Sequence, residues 1–301
     1  MTPWRVVLWL FGALWQFTVL ACLPTHVPML DLRVCGQNEQ ASFGPSAPQR
    51  NSTRPWTLER RQLPTVLQSS ISPFRLYSSS DASSGLGMSV ICTHESAVHL
   101  ERYLSLGSST TAHQSDIAES DLFRIANIPA RGCGLIAKQR LRQGDVLMAQ
   151  APILLLDFEI YSQLEERKWI QLHHEAVAAL SLEARTMFWQ LDAVKRVDPL
   201  TDRIRANAFA LQMRSGTYLA VFPNISLLNH DCDPNATYDF SEESLTQKIT
   251  ISKPIQPGSE IVISYLEPHL SLEMRQSYLS SMWGFKCSCS TCQAESTGVK
   301  E

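Results

Sequence analysis

Three cysteines fall within six residues near the C-terminus, Cys287-x-Cys289-x-x-Cys292. Thiolates so closely spaced form a metal site when a fourth ligand comes from elsewhere in the chain. Cys232 is the candidate, because it sits in a dense polar run, Asn229-His230-Asp231-Cys232-Asp233-Pro234-Asn235. With four protein ligands such a zinc site would be structural, tying the C-terminal tail to an upstream loop. Disulfide pairing is the alternative, open to a chain that enters an oxidising compartment.

Two further groups have types suited to binding. Arg131-Gly132-Cys133-Gly134 places two glycines where a ligand could approach the backbone, or simply makes a tight turn between strands. It lacks the third glycine and following helix of a dinucleotide fingerprint, and no phosphate loop, G-x-S-x-G elbow or H-E-x-x-H helix occurs. Asn229-His230 offers donors and acceptors able to read a purine edge or a carboxylate. His230 alone could be a zinc ligand or a core histidine. Tyr265 ends the apolar run Glu260-Ile261-Val262-Ile263-Ser264-Tyr265, where a core tyrosine is the plain reading.

The elements that must position these residues are mostly short strands. Strands are expected at Leu122–Ile128, Gly132–Ile136 and Asp145–Leu156. A helical insertion over about 159–211 follows, with Ser181 as N-cap of Leu182–Leu191 and a last helix at Thr201–Leu211. Strands return at Tyr218–Phe222, Ala236–Phe240, Lys248–Lys253 and Glu260–Tyr265, and a helix at Ser271–Met282 precedes the cysteines. The fold class is mainly β with a helical insertion, α+β overall. Order is expected from about Ser89.

Upstream the chain changes character. In 301 residues with a net charge of -3, residues 1–90 hold seven arginines against four acids, and the first lysine is Lys138. The overall acidity argues against bulk electrostatic binding of nucleic acid. Residues 1–24 read as a secretory signal peptide: Arg5, an apolar run from Val6 to Ala21, and small residues before Cys22. Residues 36–88, rich in Pro, Ser and Arg, read as a disordered linker.

The ordered motifs Arg131-Gly132-Cys133-Gly134, Asn229 through Asn235, Gly258-Ser259-Glu260-Ile261 through Tyr265, and Phe285-x-Cys287-x-Cys289-x-x-Cys292 resemble SET-domain protein lysine methyltransferases. Phe222-Pro223 through Ser226-Leu227-Leu228-Asn229-His230 and Ile263-Ser264-Tyr265-Leu266 are similar to the SET-and-MYND group in detail. The likeness runs from about Leu122 to Gln293. It implies a SET-domain β-clip fold over 121–267. In that fold the segment ending at Tyr265 passes beneath the Asn229–Asn235 loop in a pseudoknot. A C-terminal helix and post-SET zinc loop then occupy 268–296. It also implies S-adenosylmethionine as cofactor, held by Arg131, Gly132, Cys133, Gly134, Asn207, Asn229, His230 (largely through its backbone), Tyr265 and Phe285. Tyr265 would be the catalytic residue, and zinc would sit on Cys232, Cys287, Cys289 and Cys292.

The chain departs from that group in three places. Asp231 stands where Ser is usual. Pro152–Glu165 contains no cysteine, so the MYND zinc finger expected there is missing. Trp283 takes a position often held by tyrosine.

The reaction implied is methyl transfer to the ε-amine of a lysine in a protein substrate, histone or non-histone, by a monomer without direct nucleic-acid contact. No stable membrane span is expected unless the N-terminal segment stays as an anchor. Two other readings stand beside it: a catalytically silent SET module acting through protein–protein contact, and a secreted disulfide-linked protein, to which the sequons at Asn51, Asn224 and Asn235 would belong. The N-terminus points to secretion, while reduced thiolates and methyl-transfer chemistry suit nucleus or cytoplasm.

Overall fold

The computed structural model describes residues 59–60, 72–79, 82–83, 86–106, 120–194 and 198–298. The apolar segment over 1–24 and most of the expected linker lie outside them.

Three sheets form the frame. The largest has six strands in the order β1 (Glu59–Arg60), β2 (Phe74–Ser79), β3 (Met88–Thr93), β7 (Leu154–Asp157), β9 (Gly216–Val221), β8 (Ala208–Met213). A four-stranded sheet runs β10 (Asn229–His230), β13 (Glu260–Ile263), β5 (Gly132–Ala137), β4 (Phe123–Ile128). A three-stranded sheet runs β11 (Ala236–Ser241), β12 (Thr246–Ile251), β6 (Val146–Gln150). With the helices described next, this is the α+β class expected.

The six-stranded sheet separates two cores. Strand side chains alternate between faces, so in β7 Leu154 and Leu156 join one apolar cluster and Leu155 the other. The first cluster is closed by α2 (Ile160–Gln163), α3 (Glu166–Ala178), α4 (Leu182–Gln190) and α5 (Pro199–Asn207), through side chains such as Leu172, Val177, Phe188 and Ile204. The second holds residues of the two smaller sheets, among them Leu135, Ile249, Ile261 and Ile263. α1 (His94–Leu106) follows β3 and lends Ala97 and Leu100 to this second core.

Helix ends follow local chemistry. The Ser181 hydroxyl accepts from the Ala184 N–H at 3.1 Å, as its N-cap position requires. Asp198 caps α5 by accepting from the N–H groups of Leu200 and Thr201, with Pro199 at the first position. Ser271 caps α6 (Leu272–Trp283), which stops at Gly284 in the left-handed region with φ 76°. α7 (Ser290–Thr297) closes the described chain.

Three expectations are corrected. The linker over 36–88 does not stay irregular: Phe74–Ser79 is a mostly buried strand paired antiparallel with β3 over six residue pairs. Order thus begins before Ser89. The single strand expected over Asp145–Leu156 is two, β6 and β7, in different sheets. Pro152, which has no N–H to give a ladder, falls between them. The helix expected to continue to Leu211 ends at Asn207, and Ala208–Met213 pairs along its full length with β9. The helical insertion therefore ends four residues early, because a hairpin partner outweighs local helix propensity.

Candidate active site

The Asn229–Asn235 loop and the strand leading to Tyr265 are bonded along their length. β10 pairs parallel with β13, Asn229 opposite Val262 and His230 opposite Ile263. The Asp231 N–H donates to the Ile263 carbonyl at 2.9 Å. Asn235 completes the join, its Nδ2 donating to the Glu260 carbonyl and its Oδ1 accepting from the Val262 N–H, each at 2.9 Å. Residues about 30 apart in sequence are thereby held side by side.

Beside this join lies a cavity of about 290 Å³. It is lined by Arg131, Gly132, Cys133, Asn207, Asn229, His230, Tyr265 and Phe285 from the expected set. Gly134, the remaining member of that set, is not among the lining residues. Instead, a Cβ at Gly134 would lie 2.7 Å from Ile128 Cγ1, 2.8 Å from Asn229 Nδ2 and 2.9 Å from Glu260 Oε1. Its bare backbone is what lets Asn229 and Glu260 close against β5. Gly132 has φ +75°, a left-handed conformation that favours glycine, and a Cβ there would meet Asp192 Oδ2 at 2.9 Å.

Glu260 is the hub of the polar wall, and no motif marked it as such. Its Oε2 accepts from Arg131 Nη1 at 2.9 Å and its Oε1 from Asn229 Nδ2 at 2.8 Å. Asn229 Nδ2 also donates to the Cys133 carbonyl at 3.2 Å. Arg131 Nη2 donates in turn to the His230 carbonyl. One carboxylate thus ties the glycine-flanked turn to the Asn229-His230 pair. The opposite wall, Gln190–Val194 between α4 and α5, was also not read from sequence. Asn207 holds it, Nδ2 donating to the carbonyls of Asp192 at 2.6 Å and Arg203 at 2.7 Å.

The apolar side is aromatic. The Tyr265 ring lies 5.1 Å from that of Trp283 and 5.3 Å from that of His230. Trp283 Nε1 donates to the Ala206 carbonyl at 3.0 Å, fixing the indole. The Phe285 ring is 6.3 Å from His230. Tyr265 Oη donates to the Leu228 carbonyl at 2.7 Å. With its hydrogen so engaged, the phenol oxygen has acceptor capacity left, and burial raises its pKa, so the ring stays neutral. Burial, aided by the charges of Arg131 and Arg275, pushes His230 down to about 4, so the imidazole is neutral too.

Next to the cavity the four expected sulfurs converge. Cys232, Cys287, Cys289 and Cys292 are all unpaired by disulfides, and their sulfurs lie within 4.8 Å of one another. The disulfide alternative fails for these four. Cys232 Sγ is 3.9 Å from Cys287 Sγ and 3.5 Å from Cys292 Sγ. A tetrahedral zinc with Zn–S near 2.3 Å places sulfurs roughly 3.8 Å apart, so the cluster is compatible with zinc. Burial and the neighbouring sulfurs push the Cys232 and Cys287 thiols up. Without a cation among them these two stay neutral thiols. α6 holds the cluster: Gln276 Oε1 accepts from the Cys287 N–H at 3.0 Å and its Nε2 donates to the Cys287 carbonyl at 2.7 Å. Arg275 Nη2 lies 3.7 Å from Cys292 Sγ and 3.0 Å from Glu295 Oε1. Among the described residues no helix is long and apolar enough to cross a membrane.

Comparison with known proteins meets this geometry. The chain is 26% identical to the histone-lysine N-methyltransferase set5 of Schizosaccharomyces pombe over 185 residues, 61% of this chain and 54% of that protein. It is 32% identical to the N-lysine methyltransferase SMYD2-B of Danio rerio over 102 residues, 33% of this chain and 23% of that protein. To the histone-lysine N-methyltransferase SMYD3 of Homo sapiens it is 35% identical over 77 residues, 26% of this chain and 18% of that protein. The chain thus spans about half the length of the first of these relatives and less than a quarter of the other two. The SET domain family matches residues 132–266, the stretch that begins at the left-handed Gly132 and ends one residue past Tyr265. Residues 132–266 of this chain thus match the SET domain.

Proposed function

We propose that the chain transfers a methyl group from S-adenosylmethionine to the ε-amine of a lysine in a protein substrate. The observation that carries the reading is convergence: Arg131, Asn229, His230, Tyr265 and Phe285, spread over 155 residues (131–285) of sequence, line one cavity beside a four-thiol cluster. The polar wall suits a zwitterionic amino-acid group and a purine, and the aromatic wall suits an adenine face and an alkyl chain.

The residues then take these parts. Arg131, braced by Glu260, and the backbone at Gly132 and Cys133 would lie along the methionine portion. Asn229, Asn207 and the His230 backbone would complete the cofactor's polar contacts, and Phe285 would pack on the adenine. When bound, S-adenosylmethionine supplies an electrophilic methyl on a positively charged sulfur.

Lysine free in water has a pKa of about 10.4 and is protonated. Enclosure in the cavity alongside Tyr265 and Trp283 would favour the neutral amine, the form that is a nucleophile, because burial disfavours charge. Tyr265 cannot serve as an anionic base while burial holds its phenol neutral. Its oxygen, oriented by the Leu228 carbonyl, is placed to accept weak contacts from the reacting centre and align it. Alignment and desolvation would supply most of the rate. Zinc on Cys232, Cys287, Cys289 and Cys292 would act indirectly, by holding the segment that presents Phe285.

The test is direct. The purified 301-residue chain loaded with zinc is titrated with S-adenosylmethionine by calorimetry, then incubated with a peptide library and a cell proteome. Methyl-lysine found by mass spectrometry supports the reading. No binding of S-adenosylmethionine, or binding with no transfer to any lysine, defeats it in favour of the silent interaction module.

A further inference from the structure

The resemblance gives His230 a role through its backbone, yet its side chain is 3% exposed and makes two polar contacts that the methyl-transfer reading does not use. Nδ1 accepts from the Tyr265 N–H at 3.0 Å. An amide N–H can only donate, so Nδ1 must be the bare nitrogen and Nε2 must carry the hydrogen in the neutral ring. Nε2 lies 3.3 Å from Cys232 Sγ. His230 ends β10, and the chain bends at Cys232 two residues on. The ring is clamped between Tyr265 and Phe285 at 5.3 and 6.3 Å between centroids.

We propose that the His230 imidazole is a positioning residue that couples the metal cluster to Tyr265, its Nε2–H holding the Cys232 sulfur and its Nδ1 holding the backbone of the tyrosine. The proposal rests on the methyl-transfer reading for its consequence in turnover, and on the four-thiol site for its consequence in metal binding. A ligand sulfur that accepts a hydrogen bond is oriented and its charge is eased, as with other outer contacts of metal ligands. On the other side, a fixed Tyr265 backbone fixes where the phenol oxygen stands, and small misplacements there cost rate. One ring thereby makes the order of the metal loop and the aim of the tyrosine parts of a single arrangement.

Two substitutions separate the two arms. In His230→Asn the side-chain oxygen can take the place of Nδ1, while nothing reaches Cys232. In His230→Gln the side-chain nitrogen can take the place of Nε2, while the Tyr265 N–H loses its acceptor. Zinc affinity is read by chelator competition, and kcat and the KM for S-adenosylmethionine are read at saturating zinc. His230→Asn is expected to lose about tenfold in zinc affinity and less in kcat. His230→Gln is expected to lose about tenfold in kcat, with less change in zinc affinity and in KM. Parallel losses in both variants, or no loss in either, overturn the proposal.

A second measurement needs no variant. Nitrogen-15 spectra of the zinc-loaded native chain should show His230 as the Nε2–H tautomer, and an Nδ1–H tautomer overturns the proposal. Native chain that binds zinc and shows this tautomer but transfers no methyl sinks the functional reading alone. Active native chain with unsplit variants sinks the coupling alone.

Discussion

At Tyr265 two facts meet: the hydroxyl is donated to the Leu228 carbonyl, and burial keeps the ring neutral. Removing that oxygen should affect the reacting centre far more than cofactor binding. Tyr265→Phe is therefore expected to lower kcat by roughly 10²-fold, in the range for deleting one electrostatic contact at a reacting centre. The dissociation constant for S-adenosylmethionine, read by calorimetry, should change little; equal losses would show that the tyrosine only shapes the pocket. Gly134 offers a second test. Three atoms within 3.0 Å of its missing Cβ leave no room for even a methyl group. Gly134→Ala should cost about 1–3 kcal/mol in urea titrations and weaken cofactor binding by displacing Asn229. The thiol cluster and Asn229-His230 were legible in sequence because their meaning lies in local spacing of rare residue types. Glu260, Asp192 and Gln276 were not, since a common acid or amide acquires its role only when folding brings it to a partner.

Elements show the same division. Helix α4 was readable because its Ser181 cap is written beside it, whereas the Asp198 cap of α5 passed for the end of the preceding block and that helix was set to begin at Thr201. Strand β7 is buried on both faces, and a continuous apolar run carries no period, so β6 and β7 looked like one strand. β8 looked like the tail of a helix because its hairpin partner β9 is not written in its own residues. Nor did Phe74–Ser79, in Pro- and Ser-rich surroundings, declare the partners β1 and β3 that only folding brings to it. Within the helical layer, His173 of α3 is enclosed by Tyr161 Oη at 3.0 Å and Thr201 Oγ1 at 3.2 Å. Burial pushes its pKa down to about 3, against 6.5 in the unfolded chain. Between those values the unfolded state binds the extra proton. The contribution of His173 is thus intact above pH 6.5 and is lost as pH falls toward 3. The melting temperature of His173→Gln should therefore fall less than that of the native chain between pH 7 and pH 4.5. Parallel curves would place the acid sensitivity elsewhere.

For the molecule as a whole, the thiol cluster lies outside both apolar cores and joins the C-terminal segment to the SET domain. Cys289→Ser is expected to abolish zinc retention on dialysis and to weaken S-adenosylmethionine binding. Full activity without metal would refute the linkage. The sheet frame should survive, because its strands are paired independently of the thiols, and far-ultraviolet circular dichroism checks that.

α6 meets the sulfurs through Arg275 and Gln276 near its start and delivers Trp283 and, just beyond Gly284, Phe285 to the cavity at its end. The helix from Arg275 to Trp283 makes a lever of about 12 Å, so a pivot of about five degrees at the sulfur end carries the aromatic end through roughly 1 Å. An oxidant that joined two of those sulfurs would turn this lever. Redox chemistry at the rim would then be felt as a change in the width of the cavity.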